Sequence, residues 1–153
     1  MAAYDALKKH AGERPIFVSG NSIGTTASLY LAAHRPVAAM VLRNPPPLRQ
    51  LVLGNYGWWN LWLAAGPFAL QTPHELDSLE NASKVKAPAV FILSDGDTIV
   101  PPRFQKRVVD AYGGEKRLVH LHNANHNTMM DHDAMRQLHE ELQKMWTQTT
   151  RDK

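Results

Sequence analysis

Short apolar runs alternate with longer segments of helical periodicity along this chain of 153 residues. Four runs have the length and the β-branched or aromatic content of buried strands: 15–20, 37–42, 87–93 and 116–122. Helical periodicity runs through four further segments: 3–11, 22–34, 103–112 and 129–147. Since strands alternate with helices, the pattern predicts an α/β fold with about four parallel strands, right-handed crossovers and helices on both faces.

Turn-forming residues and apolar spacing refine these helices. The first must end before Pro15, and Gly113 and Gly114 predict the C-terminal cap of the third. Apolar residues share one side of three helices: Tyr4, Leu7 and Ala11 in the first, Ile23, Ala27 and Leu31 in the second, and Met135, Leu138, Leu142 and Met145 in the last. After the second strand, a stiff proline-rich connector (43–50) leads into an aromatic-rich segment (51–70) that we expect to be helical.

The composition is typical of a globular protein, with 44% hydrophobic and 20% charged residues. The net charge of +3 comes from scattered Lys and Arg, which we interpret as a solvated basic surface rather than a nucleic-acid-binding site. The absence of cysteine excludes disulfides, thiolate catalysis and zinc–thiolate sites. Residues 1–15 lack the apolar core of a signal peptide and no apolar run could span a bilayer, so we expect a cytoplasmic protein.

The first strand ends in Gly20-Asn21-Ser22-Ile23-Gly24, a G-x-S-x-G pattern between a predicted strand and a predicted helix. A serine in this position lies on a tight turn, which small neighbours allow to close. The N–H of Ile23 would lie at a helix N-terminus, where unpaired donors and the helix dipole can stabilise an oxyanion. The pattern indicates either that Ser22 is a nucleophile or that this is only a turn of small residues.

Two later strands also end in residue types that catalysis uses. Asp95 and Asp97 follow the third strand, where either could orient an imidazole or simply form the turn before the next helix. His126 follows the fourth strand, and a histidine can accept the proton of a serine near neutral pH. Because the carboxyl ends of parallel strands meet at one edge of a sheet, we expect the serine, an aspartate and the histidine to lie close together.

The order Ser, Asp, His on this topology resembles the C-terminal half of esterase- and lipase-like serine hydrolases with an α/β-hydrolase fold. The resemblance covers about residues 3–146 and rests on the sequences VSGNSIGTT, LSDGDTIVPP and NANHN. It implies that Ser22 is the nucleophile and His126 the general base. It also implies that Asp97, which is followed by Thr-Ile-Val-Pro, is the acid that orients the base, and that the N–H of Ile23 is an oxyanion donor.

The resemblance also carries expectations for the rest of the chain. It implies a small acyl or ester substrate, hydrolysis through an acyl-enzyme, and neither a metal nor an organic cofactor. Residues 1–153 would form a single domain, with 45–86 as a cap-like or lid-like insertion. Within that insertion, Trp58, Trp59 and Trp62 either line an acyl-binding pocket or pack a helix against the sheet.

Two departures from the family pattern matter. Gly24 is followed by Thr25, where many members have a second glycine. Residues 1–14 also contain no counterpart of the four preceding strands or of the second oxyanion donor. We therefore expect strand 15–19 to be an uncharged edge strand. The alternative interpretation is a truncated, non-catalytic fragment that self-associates through this edge.

A second alternative is a metallo-hydrolase, suggested by the sequence HLHNANHN and the nearby DHD. Alternation along a strand places His120 and His122 on one face, and His126, Asp131 and Asp133 follow shortly. The competing interpretation is that His120 and His122 only end the strand beside His126. The sequence leaves both interpretations open.

Overall fold

A computed structural model describes residues 1–56 and 73–151 of the chain. Its elements in chain order are α1 Ala2–Ala11, β1 Phe17–Asn21, α2 Ile23–His34, β2 Ala39–Arg43, α3 Leu48–Tyr56, α4 Ser78–Lys84, β3 Ala89–Ser94, α5 Pro102–Ala111, β4 Lys116–Leu121 and α6 His132–Arg151. A short 3-10 helix, His74–Leu76, precedes α4. All four strands are parallel, so the predicted α/β class is confirmed.

The strands form one sheet in the order β1-β2-β3-β4, which places each strand beside the one that precedes it in the chain. The register pairs Ser19 with Val41, Val41 with Val90, and Val90 with Arg117. When successive crossovers share one hand and advance in one direction, their helices lie on the same face of the sheet. Helices α2, α4 and α5 accordingly pack on one face, and α6 packs on the other.

Two apolar clusters hold these layers together, one on each face of the sheet. Strand β3 contributes to both clusters, because successive side chains of a strand point to opposite faces. Phe91 packs with the helices of the first face, whereas Val90 and Ile92 pack against α6. All six residues of β3 are buried, as expected for an inner strand of a parallel sheet.

All three predicted helix faces, those of α1, α2 and α6, are partly wrong. Leu7 and Met135 are 52% and 50% exposed, although the periodicity placed both with buried residues. In α1 only Tyr4 is buried, so this helix touches the rest of the chain along a narrow line. In α6 the buried stripe includes Ala134 and Met145, and it therefore passes beside Met135 rather than through it.

Helix α2 contacts the sheet through small and polar residues. Thr25, Ser28 and Leu29 are buried, whereas Ile23 and Ala27 are exposed. The hydroxyl of Ser28 donates to a carbonyl of its own helix, so burial leaves this group satisfied. Small buried side chains allow α2 to lie close to β1, directly behind the turn that joins them.

The glycines after α5 have a different role from the predicted one. Tyr112, in an extended conformation, ends the helix, and neither glycine has positive φ. A Cβ on Gly113 would lie 2.4 Å from the carbonyl oxygen of Ser83, and one on Gly114 would lie 2.4 Å from that of Ala87. Both positions therefore need glycine for close backbone approach rather than for a helix cap.

In the described parts of the predicted insertion (45–86), helix also forms where the sequence pattern indicated none. Helix α3 begins at Leu48, inside the expected connector, and α4 forms in a polar stretch. The Asp77 side chain caps α4 by accepting the N–H groups of Leu79 at 3.1 Å and Glu80 at 3.0 Å. Three predicted pocket residues, Trp58, Trp59 and Trp62, lie outside the described residues. Across 1–56 and 73–151, no helix is both long and apolar enough to cross a membrane.

Burial of Tyr112 predicts a loss of stability at alkaline pH. Desolvation raises the pKa of its phenol, and its hydroxyl donates to the carbonyl of Ala87 at 2.8 Å. The neutral phenol therefore stabilises the fold fully below the unfolded pKa of about 10, and the contribution declines as the pH rises above that value. Tyr112→Phe should cost about 1 kcal/mol at pH 8 through the lost hydrogen bond.

Urea unfolding at pH 8, 10 and 11 tests this expectation. The deficit of Tyr112→Phe should shrink by about 1 kcal/mol between pH 10 and 11, since only the wild type must keep a buried phenol neutral. Tyr30→Phe is the matched control, because Tyr30 is half-buried on α2 with its ring beside His34. A deficit that is constant with pH would contradict the assignment.

Candidate active site

Ser22 occupies the tight turn between β1 and α2. Its backbone has φ 51° and ψ −125°, a conformation that residues other than glycine rarely adopt. A Cβ on Gly20 would lie 2.6 Å from Ser28 Oγ and 2.8 Å from the carbonyl oxygen of Gly24. Glycine at position 20 therefore allows α2 to approach β1, and this approach holds Ser22 at the end of the strand.

Three hydrogen bonds fix the main chain of Ser22. Its N–H donates to the carbonyl of Arg43 at 2.8 Å, beside the end of β2. Its carbonyl accepts the N–H of Thr25 at 2.9 Å and the hydroxyl of Thr25 at 2.7 Å. The threonine that departs from the family pattern thus braces the turn. Ile23 follows at the first position of α2, where N–H groups have no partner within the helix.

Asp97 is buried in the loop after β3, and hydrogen-bond donors surround its carboxylate. Oδ1 accepts the N–H groups of Ile99 and Val100, both at 2.8 Å. Oδ2 accepts the amide of Gln105 at 3.4 Å and the imidazole of His126. The carboxylate has no exposed surface. These donors compensate for the burial of its negative charge.

His126 and Asp97 form the shortest of these contacts, with 2.6 Å between His126 Nδ1 and Asp97 Oδ2. The histidine side chain is only 10% exposed. Because the carboxylate accepts, Nδ1 carries the proton, and in a neutral imidazole Nε2 then presents a lone pair. The structure thus brings two of the three predicted residues into direct contact. Within the described residues, Ser22 has no direct hydrogen bond to Asp97 or His126. Its N–H instead donates to the carbonyl of Arg43, at the end of β2.

Asp95, the other candidate acid, pairs with different histidines. Its Oδ1 lies 3.1 Å from His120 Nδ1, and its Oδ2 lies 2.8 Å from His122 Nδ1. Hydrogen bonds from His120 and then His122 lower the pKa of the Asp95 carboxyl group, which is 40% exposed. The histidines of the sequence HLHNANH therefore separate into two groups. His120 and His122 bind Asp95, whereas His126 binds Asp97. Within residues 1–56 and 73–151, no three or more His, Cys, Asp or Glu side chains are arranged to hold a metal.

Residues at the end of β2 connect these loops, and sequence reasoning missed them. Asn44 is fully buried, with its Nδ2 donating to the carbonyl of His126 and its Oδ1 accepting the N–H of Ser94, both at 3.1 Å. The guanidinium of Arg43 donates to the carbonyl of Thr128. The only signal in the sequence was an asparagine placed directly between a strand and a run of prolines.

Comparison with known sequences finds two relatives described as uncharacterized proteins. Two proteins of Mycobacterium tuberculosis, Rv2307c and MT2364, are each 32% identical to this chain over 109 residues. The match covers 71% of this chain but only 36% of each relative, so the chain spans about a third of the length of the curated relatives it matches. No protein-family model matches the chain.

Comparison with solved structures identifies the fold. A puromycin hydrolase has a TM-score of 0.72 at 17% identity, over 97% of this chain and 24% of its own. MGS-MChE2, an α/β-hydrolase enzyme from a lagoon-sediment metagenome, has a TM-score of 0.67 at 19% identity, over 94% and 68%. A cold-adapted esterase from an Arctic intertidal metagenome has a TM-score of 0.64 at 17% identity, over 94% of this chain and 52% of its own. The chain therefore has an α/β-hydrolase fold. It corresponds to only part of each of these larger structures.

The two glycines of the G-x-S-x-G pattern should respond differently to substitution. Gly20→Ala should lower the free energy of unfolding by about 1–3 kcal/mol, because its Cβ would meet Ser28 Oγ and main-chain atoms of α2. Gly24→Ala should be neutral or stabilising by up to about 1 kcal/mol, since no described atom beyond its chain neighbours and its own helix lies within 4 Å of that Cβ, and alanine favours the helix. Urea denaturation of both variants measures the contrast. A cost for Gly24→Ala as large as that for Gly20→Ala would contradict this explanation of the turn.

Proposed function

We propose that this chain carries the catalytic serine, aspartate and histidine of a serine hydrolase that cleaves a carboxylic ester or related acyl compound. The observation that carries the proposal is the buried 2.6 Å hydrogen bond between Asp97 and His126, in the loops that follow β3 and β4. Ser22 lies in a strained conformation after β1, which is separated from β3 by β2. Parallel strands bring these three loops to one edge of the sheet.

In the proposed reaction, Ser22 Oγ attacks the carbonyl carbon of the substrate while His126 Nε2 accepts the serine's proton. The carbonyl electron pair moves to the oxygen and then returns, so that the bond to the alcohol breaks and the alcohol takes the proton from His126. Water next attacks the acyl-enzyme and gives a proton to His126. The acid is released, and Ser22 regains its proton.

Asp97 and Ile23 have supporting roles in this proposal. The Asp97 carboxylate keeps the proton of neutral His126 on Nδ1 and stabilises the imidazolium that forms during each step. The N–H of Ile23, at the start of α2, would donate to the substrate oxygen as its negative charge develops. No metal or organic cofactor enters this sequence of steps.

The proposed substrate class comes from the resemblance to esterase- and lipase-like hydrolases. The structural relatives include a puromycin hydrolase and an esterase, but at identities of 17% they support only the fold. The role of Trp58, Trp59 and Trp62 in binding an acyl group stays a prediction.

A fluorophosphonate probe, which phosphonylates an activated serine, tests the proposal. The wild type should be labelled, and Ser22→Ala should abolish labelling. Asp97→Asn should slow labelling by about 10³- to 10⁴-fold, because an amide no longer holds the histidine in the tautomer that accepts the proton. Labelling rates measured by mass spectrometry, with peptide mapping to Ser22, give the readout.

Asp95→Asn is the matched control for this experiment. It makes the same chemical change two residues away, at a carboxylate that contacts His120 and His122 but has no hydrogen bond to His126. Its labelling rate should equal that of the wild type. A folded wild type that is not labelled, or equal losses in Asp95→Asn and Asp97→Asn, would overturn the proposal.

A second candidate function is self-association through the free edge of β1. In the described residues β1 pairs only with β2 and β4 only with β3, but the two edge strands differ in charge. Strand β4 carries Lys116, Arg117 and His120, whereas the sequence of β1, FVSGN, has no ionisable residue. Charged side chains protect an edge strand from pairing with another chain, so β1 is the edge that favours association.

Apolar surface beside β1 supports this candidate. Phe17 is 39% exposed and stacks on Trp146, with the ring centroids 5.3 Å apart. A groove of about 730 Å³ lies between β1, β2 and α6, and Val41 and Leu142 are part of its lining. None of the three proposed catalytic residues lines this groove, so it could be covered without blocking them.

Sedimentation velocity over a range of concentrations tests the candidate. The wild type should form a concentration-dependent dimer, and Phe17→Lys should shift it to monomer because the charge discourages edge pairing. Leu118→Lys on β4 is the matched control, since the exposure of Leu118 is 40% and that of Phe17 is 39%. A wild type that remains monomeric at all concentrations contradicts the candidate, as does equal dissociation in the two variants.

A further inference from the structure

We infer that Asn44 is a positioning residue, which sets the location of His126 relative to Asp97 and Ser22 through two hydrogen bonds of its side-chain amide. The inference rests on the proposed function, because it concerns the geometry of the same site. Asn44 lies directly after β2, the strand between that of Ser22 and that of Asp97.

The Asn44 side chain is held where it cannot act as a surface residue. It is 0% exposed, and its backbone has φ 48°, in the left-handed region. Asparagine tolerates this conformation better than most residues with a Cβ. The Asn44 N–H donates to the carbonyl of Ile92 at 2.9 Å, so the main chain is fixed independently of the side chain.

The two side-chain bonds join the loops that carry the acid and the base. Oδ1 accepts the N–H of Ser94, three residues before Asp97, at 3.1 Å. Nδ2 donates to the carbonyl of His126 itself, also at 3.1 Å. One planar amide therefore fixes the distance between the end of β3 and the main chain of the histidine. Only a side chain with both an acceptor and a donor can make this connection.

The end of β2 also connects this amide to the serine. The carbonyl of Arg43, the preceding residue, accepts the N–H of Ser22 at 2.8 Å. Two consecutive residues thus contact the serine turn, the end of β3 and the histidine loop. A displacement of about 1 Å between reacting groups can cost as much as 10²-fold in rate, so loss of the amide should be measurable in the chemistry.

Two substitutions isolate the side-chain bonds. Asn44→Asp keeps the shape, the tolerance of positive φ and the acceptor for Ser94, but it removes the donor to His126. Asn44→Gly keeps the backbone conformation and removes both bonds without introducing a buried charge. Asn123→Asp is the matched control, because Asn123 also has positive φ, 54°, but is exposed in the histidine loop.

Two measurements decide the inference. Fluorophosphonate labelling of Ser22 should slow by roughly 10- to 100-fold in Asn44→Asp and Asn44→Gly, with cooperative unfolding retained in at least one of them. Proton NMR should show the Nδ1 proton of His126 as a downfield resonance, assigned by its loss in His126→Gln. That resonance should shift or broaden in both Asn44 variants and stay unchanged in Asn123→Asp and Ser22→Ala.

The two readouts separate failure of this inference from failure of the proposed function. If wild type and Ser22→Ala are labelled alike, the serine chemistry fails, while the NMR resonance still reports on Asn44. If a folded Asn44→Gly keeps both the wild-type resonance and the wild-type labelling rate, Asn44 does not position His126. Slower labelling with an unchanged resonance would likewise overturn the inference, because the effect would not pass through His126.

Discussion

The buried hydrogen bond between Asp97 and His126 is the interaction on which the arrangement of the strand ends depends. A carboxylate without exposed surface requires donors on both oxygens, since an unpaired buried charge would cost several kcal/mol. Here the donors come from its own loop, from Gln105 of α5 and from the histidine loop. Those segments must therefore fold together, and the loops after β3 and β4 act as one unit.

The middle of the sheet determines where that unit lies. Because β2 is between β1 and β3, its carboxyl end is within reach of the turn that carries Ser22 on one side and of the loop that carries Asp97 on the other. Arg43 and Asn44 occupy this end, and both also contact carbonyls of the histidine loop. An apolar core could not provide these connections, since main-chain carbonyls need donors at fixed positions. The polar residues at the end of β2 thus connect the loops at the carboxyl edge of the sheet to its apolar core.

The two glycines of G-x-S-x-G show how one motif combines separate physical demands. Gly20 is packed against α2, and its missing Cβ is what allows the helix to start so close to the strand. Gly24 has open space around it in the part of the chain that the structure describes. Thr25, where the family pattern often has glycine, instead supplies a hydroxyl that braces the carbonyl of Ser22. Sequence patterns record these positions as equivalent letters, although their contacts differ.

The sequence by itself determined the α/β class, the four strands and the positions of Ser22, Asp97 and His126 at strand ends. It could do so because periodicity and turn residues are local properties. The residues themselves left Asp95 and Asp97 open and the resemblance implied Asp97, but only the tertiary structure shows that Asp97 contacts His126, since both carboxylates occupy one short loop and packing orients them. It also decided that Met135 is exposed, that Gly113 allows close backbone approach, and that Asn44 joins the end of β3 to the loop of His126. Each of these features depends on contacts between residues far apart in the sequence, and a local sequence pattern cannot encode such contacts.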